Sequence, residues 1–203
     1  MSENEIREPI QKRSIEKKEK IIKAGFGLIC QKGYYNTNTA EIAKFAGVST
    51  GIVYQYFRDK HDILIAGMEK YACDIFYPML KIQLENNNSV KKFNLEETLK
   101  RMISYFLENH KLSQSAHEEI MAMTHSDSEV AKLFKSYEIY VTNKISNLLI
   151  QSGYAATNMP EKVHIAMHLI DDLCHEIVYH KHETLDYNIM TNLTICSIIN
   201  IIQ

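Results

Sequence analysis

The segment from His164 to Glu183 reads "HIAMHLIDDLCHEIVYHKHE". On a helix, His164, His168, Asp171 or Asp172, and His175 share one face. Imidazole and carboxylate at that spacing suit a divalent metal ion, with His168, Asp172 and His175 as the set to test. The cysteines give that idea no support. Cys30, Cys73, Cys174 and Cys196 are widely spaced, no CxxC pair occurs, and reduced thiols are the simplest reading. A metal-dependent hydrolase would need more than this trio. The chain has no HExxH pair, no GxSxG elbow and no Gly-rich phosphate loop. No enzyme and no cofactor is therefore expected.

A second set of residues offers recognition chemistry. In "TGIVYQYF", Thr50 to Phe57, Val53 and Phe57 stand at i and i+4 and face inward. Thr50, Gly51, Ile52, Tyr54, Gln55 and Tyr56 are left to other faces. Tyr54 and Tyr56 could be core aromatics, but the inward face is already taken. A Gln amide can read an adenine edge, and an apolar side chain can meet a thymine methyl. Lys60 lies at the start of the next helix, where amides and helix dipole also favour phosphate.

Those residues need elements to hold them. "TAEIAKFAGVSTGIVYQYF" predicts two helices, Thr39–Ala46 and Thr50–Phe57. Each is well under the ~12–15 residues that an isolated helix requires in water. Asn38 and Glu41 have capping-box spacing, Gly47 ends the second helix, Val48 plugs the corner and Ser49 caps the third. A longer helix must supply the floor, and Ser14 to Gln31 fits: Ile15, Ile22, Phe26 and Ile29 share one face, with Ile21 and Leu28 beside them. Gly33 suits the left-handed position after its end. The result is a helix–turn–helix, which pushes one short helix into a DNA major groove.

Charge agrees. Residues 1–60 hold 11 Lys/Arg against 7 Asp/Glu, whereas residues 61–203 hold 12 against 18. A basic module on an acidic body points to an anionic partner at one end. Arg7 to Lys23 reads as a basic arm leading into a basic helix face. The rest is helical in period, so the fold expected is all-α: a domain over 1–60 and a helical domain over 61–203. Asp59 should cap a fourth helix ending near Pro78. Further helices are expected at about 93–110, 114–124, 127–152, 160–182 and 187–202. The most apolar stretch, Ile195 to Ile202, is too short to span a bilayer. With no secretory leader visible, a cytoplasmic location is expected.

The run "GYYNTNTAEIAKFAGVSTGIVYQYFRDKHDIL", Gly33 to Leu64, closely resembles the N-terminal DNA-binding domain of TetR-family transcriptional regulators. The resemblance rests on Gly33 with an aromatic at 34, Thr37, Ile42–Ala43, Ala46–Gly47–Val48–Ser49, Gly51, Tyr54, Tyr56–Phe57, Lys60 and Leu64, and covers roughly residues 12–65. It implies a homodimer on a palindromic double-stranded operator. Thr50, Gly51, Ile52, Tyr54, Gln55 and Tyr56 would then lie in or beside the groove, flanked by Thr39 and Ser49. Thr37 and Lys60 match phosphate-contacting positions. Neither Thr50 nor Ile52 offers a charged reader of guanine, so the operator expected is A·T-rich.

In such a family the body holds a small-molecule effector. Candidate lining residues are Met68, Tyr71, Met102, Phe106, Met121, Phe134 and Tyr137, each of which could equally be plain core. The last two long helices would form the dimer's four-helix bundle, where the His-rich face could pair across the seam. The function expected is a ligand-responsive regulator, a repressor released by a small molecule. A metal-responsive regulator is the alternative, and the helical hydrolase a remote third.

Overall fold

A computed structural model describes the backbone of residues 12–86, 94–109 and 114–203, and their side chains except at 74–86 and 109. Among these residues there are nine α-helices and no strand. They are α1 (Lys12–Lys32), α2 (Thr39–Ala46), α3 (Thr50–Tyr56), α4 (Lys60–Asn86), α5 (Leu95–Asn109), α6 (Gln114–Ser126), α7 (Ser128–Gln151), α8 (Met159–Tyr179) and α9 (Tyr187–Ile202). The chain is all-α, as its periodicity predicts. No helix among the described residues is long and apolar enough to cross a membrane.

Several expectations shift in detail. Ser14 stands inside α1 rather than capping it. The buried stripe of α1 runs through Ile21, Gly25, Leu28, Ile29 and Cys30, while Ile15 is exposed. Glycine at 25 is required by packing: a Cβ there would lie 2.4 Å from the Ile63 Cγ2 of α4. Asp59 does cap α4, its Oδ1 accepting from the amides of His61 and Asp62. That helix continues past Pro78 to Asn86. The basic arm before Lys12 lies outside the described residues, as does the break after Asn86.

The chain divides into two compact units. The first falls within Met1–Cys73 and Leu112–Phe134, the second within Asp74–Lys111 and Lys135–Gln203. In the first, one apolar cluster joins Ile21, Leu28, Ile42, Val53, Tyr56, Phe57 and Ile63. Another joins Ile29, Leu64 and Met68 to Ala116, Ile120 and Met123 of α6. So α6, far away in sequence, packs on α1. In the second unit, α5, α7, α8 and α9 share one core that includes Met102, Phe106, Val141, Ile145, Leu173 and Ile198.

Candidate nucleic-acid interface

The α2–α3 corner is built by local bonds. The Asn38 Oδ1 accepts from the Glu41 amide at 3.0 Å, satisfying a free donor of the first turn. The return half of the capping box is replaced: the Glu41 carboxylate pairs with Lys32 at 2.5 Å. Gly47 takes φ 67°, a left-handed conformation that only glycine adopts without strain. Its amide donates to the Lys44 carbonyl, and the Val48 amide reaches back to Ala43, a Schellman ending. Ser49 then caps α3 through Ile52 N. Below, Val53 and Phe57 are buried as their spacing predicts.

What α3 leaves outside is narrower than expected. Gly51 and Gln55 are exposed, Tyr54 is 46% exposed, and Thr50 is half-buried. Ile52 packs partly against the core. Tyr56 is only 8% exposed and belongs to that core. The reason is spacing: position 56 lies three residues after Val53, on the inward side of the helix. Its ring is a packing element, so the groove placement expected for it is corrected.

The two residues matched to phosphate contacts are also engaged inside the protein. Thr37 is 2% exposed, and its Oγ1 donates to the Gly33 carbonyl at 2.9 Å. The Lys60 ammonium donates to the carbonyls of Tyr34 and Thr37, at 2.7 and 2.9 Å, and sits 4.3 Å from the Tyr34 ring centroid. Lys60 thus fastens α4 to the 33–37 turn and keeps one N–H for an outside acceptor. Thr39 is half-buried and Ser49 exposed. Nearby, Arg58 clasps Asp62 through its backbone amide, Nε and Nη2. The Arg58 side chain holds the Asp62 carboxyl below its ordinary range.

Three exposed residues beside this surface escape the sequence reading. Tyr35, Lys44 and Phe45 all face outward. The α2 period contained the signal for two of them: with Ile42, Ala43 and Ala46 inward, positions 44 and 45 turn out.

A family model described as bacterial regulatory proteins of the tetR family matches residues 21–66. The HTH-type transcriptional regulator HbdR of Aromatoleum sp. is 41% identical over 70 residues. A TetR-family transcriptional regulator from Mesorhizobium loti shares the fold, with a TM-score of 0.74 at 16% identity over 94% of this chain and 97% of its own. Residues 21–66 therefore match the DNA-binding segment of tetR-family regulators. The α2–α3 pair lies inside that matched segment. The HbdR match spans 34% of this chain and 30% of that relative, while the regulator BetI of Escherichia coli is 26% identical over 66% of each. A transcriptional regulator from Saccharomonospora viridis, solved in complex with choline, has the same fold at a TM-score of 0.66 and 18% identity, covering 92% of this chain and 96% of its own.

Away from the α2–α3 corner, the effector candidates fall into two groups. Met68 is buried in the α1–α4–α6 cluster, with Tyr71 and Phe134 against it and Met121 exposed. Met102 and Phe106 are buried in the core of the second unit, and Tyr137 is half-buried. The metal trio is not assembled. His175 pairs with Asp171 at 3.4 Å and meets the Phe106 ring edge-on, and Asp172 is exposed. His168 pairs instead with Glu138 of α7, at 2.8 Å. Positions 168 and 175 are about two helical turns, ~10 Å, apart, too far to share one ion.

Proposed function

We propose that this chain is a homodimeric repressor that seats α3 of each protomer in successive major grooves of a palindromic operator and is released by a small molecule. The observation that carries it is the outward face of α3. Tyr54 and Gln55 project from a helix locked beneath by Val53, Tyr56 and Phe57. With Thr50 and Gly51 they form the surface offered to DNA. The head within 1–60 does the reading, and the helices of 61–203 take the effector and the partner. An outward aliphatic stripe on α8 and α9, Ile165, Ile189 and Leu193, supports dimerisation. The choline-bound structure of the same fold supports a small-molecule effector.

Release works through geometry. Half-sites of such dimers lie about 34–36 Å apart. A ligand that moves the two α3 helices by a few ångströms unseats one when the other is bound, and needs about 1–3 kcal/mol of coupling. The membrane has no part in this scheme, and the protein acts in the cytoplasm.

Gln55 against Lys60 is the test. Gln55→Ala should weaken operator binding by roughly 1–3 kcal/mol while leaving random DNA almost unaffected. Lys60→Ala should weaken both DNAs alike, lower the salt slope by about two for a dimer and, because its ammonium holds two carbonyls, also lower the melting temperature. Identical binding profiles for the two variants would sink the reading of α3.

A further inference from the structure

We infer that Glu138, His164 and His168 form a site for a divalent first-row transition ion, Zn(II) being the best chemical fit. The inference is independent of the operator reading. One ligand atom from each residue lies within 4.8 Å of the others. The Glu138 Oε1 stands 2.8 Å from Nε2 of His168 and 3.9 Å from Nε2 of His164. Donors around a tetrahedral zinc at ~2.0–2.1 Å sit about 3.3 Å apart, so small torsional changes close the set. His164 and His168 are at i and i+4 on α8, a spacing that aims two imidazoles at one point. Their rings meet edge to face with centroids 4.7 Å apart.

The surroundings prepare one histidine for ligation. Thr142, one turn beyond Glu138 on α7, is buried. Its hydroxyl donates to Met167 Sδ at 3.6 Å, and its oxygen lies 3.5 Å from Nδ1 of His164. With the hydroxyl proton directed to sulfur, that oxygen accepts from Nδ1–H. This tautomer leaves the Nε2 lone pair of His164 on the Glu138 side, the arrangement that orients metal-ligating histidines. His168 is 60% exposed, so the ion has an entry path and a coordination position open to water. Two imidazoles and one carboxylate with no thiolate favour Zn(II), Ni(II) or Co(II) over Mg(II) or Ca(II).

A second cluster, Asp59, His61 and Asp62, is equally compact. There the donors are already committed. Asp59 caps α4, Asp62 holds Arg58, and His61 pairs with Asp127 at 2.9 Å. Only the α7–α8 set has a histidine with an open edge and a prepared tautomer.

The metal-stripped full-length protein should be titrated with ZnCl2 by calorimetry and with CoCl2 by visible absorption. One ion per chain is expected, with d–d bands of a four- or five-coordinate nitrogen and oxygen site. His164→Ala and His168→Ala should each weaken Zn(II) binding at least about 100-fold. Thr142→Val should weaken it about 10-fold, the lower end for a group that orients a ligand. His175→Gln, on the same helix but outside the set, should bind Zn(II) as the parent does. Circular dichroism of each variant identifies any that has not folded. Absence of saturable binding overturns the site. So does a Zn(II) affinity that survives in folded His164→Ala and His168→Ala, or that is lost in His175→Gln.

Discussion

The α2–α3 pair and the α8–α9 pair each pack against the core of their own unit, but they differ in what they turn outward. The first pair is short, 8 and 7 residues, and its exposed face carries Gly51, Tyr54 and Gln55. The second is long, 21 and 16 residues, and exposes Ile165, Ile189 and Leu193. A polar and aromatic surface on a rigid corner is suited to a hydrated, charged partner. An aliphatic stripe is suited to another protein surface, because burying it gains about 25 cal/mol per Å² of apolar area. Under the proposed function, the outward residues of the two pairs would separate reading from assembly.

Breaking assembly should have the largest effect. Leu193 is 62% exposed, so Leu193→Glu leaves the protomer's own core intact while placing a charge in the proposed seam. Sedimentation should show a monomer. Operator affinity should fall at least about 100-fold, because a single head retains only part of the gap of ~10³–10⁷ between specific and non-specific binding. A Leu193→Glu protein that sediments as a dimer would remove α9 from the interface.

Breaking the head should do the reverse. Gly25→Ala brings a methyl within 2.4 Å of Ile63 and 3.3 Å of Ile42, and overpacking of this kind costs about 1–3 kcal/mol. Gly47→Ala forces alanine into a left-handed conformation for about 1–2 kcal/mol, although nothing crowds the position. Both variants should remain dimeric in sedimentation yet bind operator poorly. If either lost the dimer along with DNA binding, the two regions would not be energetically separable.

Local chemistry was the legible part of the sequence. Asn38, Ser49 and Asp59 act on backbone within a few residues, so their spacing alone announced the caps. Gly33 and Gly47 marked left-handed turns for the same reason. Val53 and Phe57 followed from period. What escaped depends on partners distant in the chain. Lys60 carries a charge that suggests phosphate, but the carbonyls of Tyr34 and Thr37 take it first. Glu138 meets His168 only because α7 and α8 fold together, and nothing in "HIAMHLIDDLCHE" names it. Glu119 of α6 accepts from the Tyr34 amide at 2.6 Å, an equally unannounced tie. Tyr56 is the exception. Its burial follows from helical spacing, three residues after Val53, but in the sequence Val53 and Phe57 already fill the inward face, and the family motif also argues against it.

The smallest expected effect concerns how α7 is anchored in the head unit. Asp127 caps that helix, its Oδ1 accepting from the amides of Glu129 and Val130, while Oδ2 pairs with Nε2 of His61. The Val130 amide is the main cause holding its carboxyl below the ordinary value of 3.8, with His61 adding to it and burial opposing. A carboxyl whose folded value lies below its unfolded one stabilises the fold above the ordinary value. That contribution fades as pH falls through 3.8 toward the folded value. Asp127→Asn keeps an oxygen for the amides but removes the charge at a helix N-terminus, worth about 0.3–1 kcal/mol. The variant should therefore melt below the parent at pH 7, and the two curves should converge as the pH falls below 3.8. A gap that stays constant down to pH 2 would mean that the charge of Asp127 contributes nothing and that its hydrogen-bond geometry alone anchors α7.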